Sequence, residues 1–516
     1  MTLAAACGWS LVRALGVALV AWPVCTRLAT WLTGLDDRQR RLAWFLVVIP
    51  FLCPELWMGY AWSGFALRLA GMGFWKRIPD VLFPTPQAVV TRDAAVDELL
   101  LDLLLFIRAV PVGTLVVYFA PPPPLSAEAL YCRALALGNA HRSMSSQACA
   151  SHFARAGKPR RLGWLGFALR SRWHAALPAM GLMFLVAFQE FELASLIGRP
   201  AWTVWLFDAQ VGGLALSESL RLVIEPVVCQ IVVLLPLAWW ITTRPGLARS
   251  GAQHSPPLPG HRRNLAWLYL VAAVALALFI PVSLVGGGAL EGLWRVVRSA
   301  EQIKPLVSEI LVGTGYALVA ALAAMLIAAP LLDRARHSHL GRLGLIAISF
   351  PGLFGSLVLG LALIRLLQQS YLQFFYKTPY ALALGLILFL LPRAVVARLV
   401  LSASGQREGA HLAALLGTSP ARAARATARE LAWQMRWRGE FWSVALLSYW
   451  AFLDLTIAYL LAPVTIVSAP VMLYNQMHFG KNAVLSALVF LTVIVPALLF
   501  ILASVSRRFF FRWFWR

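Results

Sequence analysis

The chain has 516 residues, of which 60% are hydrophobic and 13% charged, and its mean hydropathy is +0.74. These values exclude a water-soluble globular protein, because so few charged residues do not supply a polar shell for a core of this size. The net charge of +23 does not indicate a nucleic-acid partner, because the basic residues lie in short stretches between apolar runs, where anionic lipid explains them. The composition therefore predicts a polytopic protein of the lipid bilayer.

Eleven apolar stretches of about 20 residues, the length that crosses a bilayer as a helix, follow one another along the chain. They run roughly over 9 to 33, 42 to 66, 98 to 119, 175 to 198, 221 to 243, 264 to 287, 311 to 332, 342 to 366, 379 to 400, 439 to 462 and 484 to 506. The first contains Arg13 and has basic residues after it rather than before it, so we expect it to stay as a helix rather than be cleaved as a signal peptide. The expected fold class is all-α, with about 11 transmembrane helices.

The loops between these stretches differ strongly in charge. Of the 45 Lys and Arg residues, 29 lie in one alternate set of loops and the C-terminal tail, and 11 lie in the other set. The positive-inside rule then places the first set in the cytoplasm. The N-terminus is expected outside and the C-terminus inside, with the tail from Arg507 to Arg516 as an interfacial anchor.

Short segments recur in the same order in the two halves of the chain. Val204 to Asp208 (VWLFD) corresponds to Val471 to Asn475 (VMLYN), and further upstream Pro111 corresponds to Pro392. We predict two parallel five-helix repeats, residues 1–243 and 311–516. Residues 244–310 form a linker with one connecting transmembrane helix, which gives both repeats the same orientation.

A long basic segment lies between the third and fourth stretches of each half and contains a short amphipathic helical patch. The first patch ends at Gly138 and the second at Gly417. A glycine at such a position indicates a helix C-cap. The shape of both patches predicts docking elements on the cytoplasmic side.

The second patch has the form x-x-Ala-x-x-x-Gly-x-Ser, with Ala413, Gly417 and Ser419, and the first keeps Ala134 and Gly138. With the acid-bearing stretch that follows and the segment 471 to 480 (VMLYNQMHFG), this pattern resembles the permease subunit of an ABC importer. In particular it resembles the fused two-repeat permeases of the iron(III) and thiamine uptake type, whose EAA loop holds a coupling helix.

The resemblance implies a multi-pass protein of the bacterial inner membrane that forms the translocation path for iron(III), thiamine or another small solute. It also implies coupling through these loops to two ABC ATPase subunits, and delivery of the solute by an extracytoplasmic substrate-binding protein. The sequence contains no Walker A pattern. ATP is therefore expected to be bound by the partner, and this chain is expected to be a transport subunit without catalytic residues, cofactor or metal.

Acidic side chains inside apolar stretches are costly in a membrane and are therefore functional candidates. These are Asp102, Glu190, Glu192 and Asp454. Glu192 and Asp454 occupy corresponding positions in the two halves, so we predict a translocation path lined by Glu192, Asp454 and Asp102 that would suit a cation. The alternative is that the acids form structural ion pairs with the arginines inside the stretches, which are Arg108, Arg365, Arg393 and Arg398.

Other classes of function stay open at this point. A secondary transporter driven by an ion gradient would use the same acids and need no partner, and an inactive permease-like scaffold is also compatible with the sequence. A membrane enzyme acting on lipid-linked substrates would need acids or histidines concentrated at one membrane face, whereas the outer loops carry scattered single acids.

Overall fold

The computed structural model describes residues 2–65, 68–69, 86–119, 176–243, 260–298, 300–404, 407–463, 465–466, 468–477 and 482–513. Within these ranges the structure is built from helices, and no strand occurs in them. The prediction of an all-α protein is confirmed for this part of the chain.

The helices follow one another in a recurring order of long, broken, long, broken, short and long elements. The first set comprises α1 (Leu3–Thr33), α2 (Asp37–Leu52), α3 (Glu55–Trp62), α4 (Pro86–Phe119), α5 (Ala176–Phe188), α6 (Glu192–Ile197), α7 (Trp202–Val211) and α8 (Leu216–Thr243). A connecting helix follows, made of α9 (Gly260–Val274), a π-helical turn (Ala275–Phe279) and α10 (Ile280–Arg298).

The second set begins with α11 (Ala300–His337), α12 (His339–Leu353), α13 (Ser356–Leu367) and, after a short 3₁₀ turn, α14 (Pro379–Ser404). It continues with α15 (Arg407–Gly417), α16 (Arg422–Ala432), a π-helical turn (Trp433–Trp437), α17 (Arg438–Leu453), α18 (Leu455–Leu461), α19 (Ala469–Met477) and α20 (Ala483–Trp513). Helices α15 and α16 lie between α14 and α17; the corresponding segment of the first set, residues 120–175, lies outside the described part of the chain.

Seven of the described helices are long and apolar enough to cross a membrane, and three bent pairs raise this number to ten if each pair is one span. The pairs are α2 with α3, α12 with α13, and α17 with α18, bent by 71°, 105° and 60° respectively. The remaining predicted stretch, 175 to 198, contains the 13-residue apolar helix α5 and is interrupted after Phe188. A polytopic protein is thus confirmed, while the count of eleven spans stays a prediction.

The first helix of each set has equivalent neighbours. Helix α1 packs against α4 and α5, and α11 packs against α14 and α17. Small buried residues make these close approaches, since a short side chain lets two helix backbones come near each other in a membrane. They are Ala14, Ala18 and Ala21 in α1 and Ala317, Ala320, Ala321 and Ala324 in α11.

The last long helix of each set reaches across to a bent pair of the other set. Helix α8 packs against α12 and α13, and α20 packs against α3 and against α10 of the connecting helix. The hydroxyls of Tyr60 in α3 and Ser486 in α20 lie 2.9 Å apart in a buried hydrogen bond. This crossing places the bent pairs at the centre of the molecule.

Candidate functional site

Four interruptions of apolar helices meet at one central cavity. They lie between α2 and α3, between α5 and α6, between α12 and α13, and between α17 and α18. The cavity has a volume of about 160 Å³ and is lined from all four interruptions. Since two of them belong to each set of helices, the cavity is a joint product of both halves. We call it the central cavity.

Local sequence explains where the bent pairs break. Helix α3 begins after Pro54, which has no N–H to continue the hydrogen-bond ladder of α2. Helix α13 begins after Gly355, whose φ of +88° lies in the left-handed region that favours glycine. A Cβ atom at Gly355 would also lie 3.2 Å from the side chain of Gln189. Both breaks are therefore fixed by residues that cannot be exchanged freely.

The carbonyl groups that these breaks release are satisfied by side chains from other helices. Nη1 of Arg108, in α4, donates to the carbonyl of Cys53 at 2.7 Å. Nε2 of Gln189, after α5, donates to the carbonyl of Leu353 at 2.6 Å. An unpaired backbone group at membrane depth costs several kcal/mol, so these two polar side chains stabilise the broken form.

The N–H groups at the start of the short helices are satisfied by acids. The Glu190 carboxylate accepts a hydrogen bond from the N–H of Leu193 at 2.9 Å. In the second set the Asp454 carboxylate accepts one from the N–H of Ile457 at 2.8 Å. Both acids thus cap the helix that follows them. The cap explains in structural terms why an acid stands at each of these places.

Ionisable groups of both signs line the central cavity. The carboxylates are those of Glu55, Glu190, Glu192 and Asp454, and the guanidinium groups are those of Arg108 and Arg393. Arg108 forms an ion pair with Glu55, in which the arginine side chain is buried. Arg393 instead stacks 3.9 Å from the ring centroid of Phe389 and donates to its carbonyl at 2.8 Å. Carboxyl groups thus outnumber guanidinium groups by four to two in the lining of the cavity.

The structure brings Glu192 and Asp454, two of the three residues predicted for the path, together at this cavity. Glu192 is 7% exposed, and its carboxylate interacts with the backbone N–H of Leu455, the residue after Asp454. The two acids therefore sit on the facing breaks α5–α6 and α17–α18. Glu190, which the sequence analysis named as a candidate acid but did not place on the path, also lines the cavity.

Asp102 lies elsewhere. Its carboxylate is 3.7 Å from Nε of Arg13, and Arg13 also pairs with Glu98, which binds Arg199 at 2.8 Å. This cluster joins α1, α4 and the loop before α7 and does not line the central cavity. The structure thus separates Asp102 from the other two residues predicted for the path.

Of the arginines inside the apolar stretches, Arg108 and Arg398 form ion pairs with acids that were not singled out from the sequence, whereas Arg13 pairs with Asp102, which was. Arg108 pairs with Glu55, and Arg398 pairs with Glu440 at 2.7 Å. Arg365 is exposed at the end of α13. Structural pairing therefore leaves Glu192 and Asp454 available to the cavity.

Sequence reasoning missed Glu55, although it lies inside the predicted stretch 42 to 66. The criterion that selected the other acids, an acid within an apolar stretch, also applies to it. Its position directly after Pro54 was a second signal, because a proline in such a stretch predicts a break. The role of Gln189 had no such signal, because the criterion selected acids and did not consider neutral amides.

The predicted second docking patch is α15, which forms a helical hairpin with α16. The chain turns at Thr418 to Ala421, where the N–H of Thr418 bonds to the carbonyl of Leu415 at 3.2 Å. Gly417 at this turn is exposed and has no atom within 4 Å of a Cβ position. Ala413 is buried, and Leu412 and Leu415 are about half exposed. The hairpin thus presents apolar side chains outward beside an open glycine.

Ser419 lies in the same turn, with its hydroxyl 3.4 Å from the N–H of Ala421. The residues of the first docking patch, Ala134 and Gly138, lie outside the described part of the chain. The geometry described above is therefore that of the second docking patch alone.

In the described part of the chain, no three His, Cys, Asp or Glu residues are grouped so as to hold a metal ion. The acids of the central cavity are spread over separate helix breaks rather than gathered as a chelate. The cavity therefore offers carboxyl, guanidinium and amide groups that can form hydrogen bonds. Comparison with protein-family models, with curated proteins and with solved structures gives no match for this chain.

Proposed function

We propose that this protein is the membrane permease subunit of an ATP-driven importer and that the central cavity is part of its translocation path. The observation that carries the proposal is that two broken helices from each half converge on one polar, acidic cavity. Transporters commonly build their solute sites from discontinuous helices near the middle of the membrane, between two structural repeats. Irregular backbone at that depth is tolerated where it is buried in protein or lines a cavity.

The proposed arrangement has two parallel five-helix repeats, with α9 and α10 as the connecting span. The recurring order of helices and the equivalent neighbours of α1 and α11 support it. Counting α5 with α6 as a broken span gives eleven spans, an odd number that places the two termini on opposite sides. By the positive-inside rule the N-terminus lies outside and the C-terminus lies in the cytoplasm, in the bacterial inner membrane.

The proposed energy source is ATP bound by a pair of ABC ATPase subunits. The hairpin of α15 and α16 supports this, since an exposed helix with Leu412 and Leu415 outward has the form of a docking element. Closure of the partner would shift the permease between two states that bind it with different affinity. An extracytoplasmic binding protein would deliver the solute, and the excess of carboxylates in the cavity favours a cationic one, as iron(III) and thiamine are.

The test is purification of the tagged chain in mild detergent with identification of the proteins that copurify. We expect an ATPase subunit, and we expect Gly417→Arg to lose it, because a long charged side chain would occupy the open turn of the hairpin. The matched control is Leu340→Arg, since Leu340 is 80% exposed on another basic turn. Equal binding of an ATPase by the two variants would contradict the proposed coupling. So would the absence of an ATPase from all three samples, including the unaltered chain.

A secondary transporter is the second candidate. It is favoured by Glu192, a buried acid at the cavity that forms no direct ion pair in the described part of the chain. Uptake by the purified chain alone in proteoliposomes, dependent on an imposed proton or sodium gradient, would support this candidate. A chain that neither binds an ATPase nor transports would instead fit the inactive scaffold.

A further inference from the structure

A second and larger cavity lies on the side of the molecule, between α8 and the bent pair of α12 and α13. It has a volume of about 1030 Å³. Its walls are apolar residues of these helices, among them Leu235, Leu343 and Phe350. Leu235 and Leu343 are about 60% exposed, so the cavity opens sideways toward the surroundings of the helices rather than into the protein. We call it the lateral groove.

One end of the lateral groove is basic. His339 and Arg342 line it there, on the first turn of α12. Nε of Arg342 donates to the carbonyl of Ala335 at 3.1 Å, which holds the guanidinium group at the junction of α11 and α12. The exposed Arg334 and Arg336 lie on the last turn of α11 but do not line the groove. The groove therefore combines a positively charged end with an apolar body.

The length of the groove matches one leaflet of a bilayer. Its wall on α12 runs from His339 to Pro351, thirteen residues, which span about 18 Å at a rise of about 1.5 Å per residue. One leaflet of the hydrocarbon core is about 15 Å thick. A ligand with its head at Arg342 would thus have its chain along the groove down to the α12–α13 break.

We propose that the lateral groove binds one anionic phospholipid, with the phosphate at Arg342 and His339 and an acyl chain along α12. The charge at one end, the apolar walls, the sideways opening and the length each fit this occupant. Arginine matches phosphate geometry through paired N–H donors. The inference depends on the protein lying in a bilayer and does not depend on the transport function proposed above.

The bound lipid would contact the same break that shapes the central cavity. Phe354 lines the lateral groove, whereas the next two residues, Gly355 and Ser356, line the central cavity. The carbonyl of Leu353 is held by Gln189 on the cavity side. An acyl chain that fills the groove therefore supports the 105° bend between α12 and α13 from its outer side. Lipid composition would in this way affect the shape of the central cavity.

The test is native mass spectrometry of the delipidated full chain, titrated separately with phosphatidylglycerol and phosphatidylcholine. We expect a preference for phosphatidylglycerol that falls about fivefold in Arg342→Gln, since one basic residue contributes about this much to binding of anionic lipid. Arg342→Lys should keep the preference, and Arg336→Gln, which alters an exposed arginine on α11 that does not line the groove, should bind as the unaltered chain does.

A second pair of variants tests the body of the groove. Ala347→Trp places a large ring on the groove wall, whereas Ile348→Trp alters the next residue, which is exposed but does not line the groove. We expect phosphatidylglycerol to bind tightly to the unaltered chain and to Ile348→Trp and to raise their melting temperatures. Ala347→Trp should lose both the bound lipid and this rise. Equal binding of the two lipids by the unaltered chain would overturn the headgroup assignment. Equal lipid binding by the two tryptophan variants would show that the lateral groove is not the lipid-binding site.

Discussion

The hydroxyl groups of Ser195 and Tyr474 lie 2.6 Å apart although 279 residues separate them in the chain. Ser195 is in α6, directly after one break at the central cavity, and Tyr474 is in α19 of the other half. The ring of Tyr474 also packs 5.8 Å from that of Phe191 at the same break. This hydrogen bond and its ring contacts hold the two halves together beside the cavity.

Tyr474→Phe removes the hydroxyl and leaves the ring. We expect a loss of about 1 kcal/mol in the apparent free energy of unfolding in detergent, because a typical intramolecular hydrogen bond contributes that much. The matched control is Tyr459→Phe, since the Tyr459 ring packs 4.8 Å from Phe207 in the same aromatic cluster. Thermal unfolding followed by circular dichroism measures both, and an equal change in the two variants would contradict the role of the Tyr474 hydroxyl.

The ion pair of Arg108 with Glu55 also serves the break between α2 and α3. Arg108→Gln leaves Glu55 without its partner and weakens the bond to the Cys53 carbonyl, so we expect a loss of about 3 kcal/mol. Glu55→Gln should cost a similar amount, because it leaves the buried guanidinium of Arg108 without its counter-charge. The double variant should lose less free energy of unfolding than the two single variants lose in sum, as is usual for residues that contact each other. Additive losses in the apparent free energy of unfolding would show that the two side chains act independently.

Asp454 has two roles that conservative variants separate. Asp454→Asn keeps an N-cap acceptor for Ile457 and should change the stability little, whereas Asp454→Ala should cost about 1 kcal/mol. Both remove a negative charge from the cavity. Unfolding in detergent is the measurement, and equal losses for the two variants would show that the cap is not the stabilising part.

The charge of the cavity is tested by uptake. We expect Asp454→Asn and Glu192→Gln each to lower uptake of a cationic solute about tenfold, the effect of losing roughly 1.4 kcal/mol of attraction. Asp102→Asn is the control, because Asp102 lies in the Arg13 cluster away from the cavity. Uptake into vesicles that contain the complete transporter measures the effect. If only Asp102→Asn lost uptake, the translocation path would have to lie at the Arg13 cluster instead.

Gly355→Ala tests the break between α12 and α13. Alanine is strained at a φ of +88°, and its methyl group would press on Gln189 at 3.2 Å. We expect a loss of about 1 to 3 kcal/mol, with a change in the form of the central cavity. Gly315→Ala, in α11, has no atom within 4 Å of the new methyl group and should be neutral or slightly stabilising. Similar melting temperatures for the two variants would mean that the break adapts without strain.

Several features of the fold could be predicted because they depend on local composition. Apolar runs of bilayer length predict helices whatever their neighbours are, so the C-terminal ends of α1 and α8 and the start of α20 were found to within one residue. The breaks were harder to place. Pro54 marks one break. At the other, the Asp454 carboxylate accepts a hydrogen bond from the N–H of Ile457, and the sequence alone does not show whether this bond or a continuous helix forms.

The pairing of charges could be predicted only in part. An acid in an apolar stretch must be satisfied by something, and the sequence offers several arginines at similar depth. Which arginine meets which acid depends on the crossing of helices, as the pairs of Arg108 with Glu55 and Arg398 with Glu440 show. Asp102 and Asp454 look alike in sequence, yet the first joins a cluster with Arg13 and the second lines the central cavity.

The sequence alone indicated an all-α polytopic protein, and it predicted two recurring halves in which Glu192 corresponds to Asp454. These properties follow from hydrophobicity and order along the chain, which act over tens of residues. Only the tertiary structure decided that four helix breaks meet, that the two acids share a cavity, and that a lateral groove with a basic end lies behind one break. Those features depend on contacts between residues hundreds of positions apart, where packing and the need to satisfy buried polar groups select one arrangement among many with similar local preference.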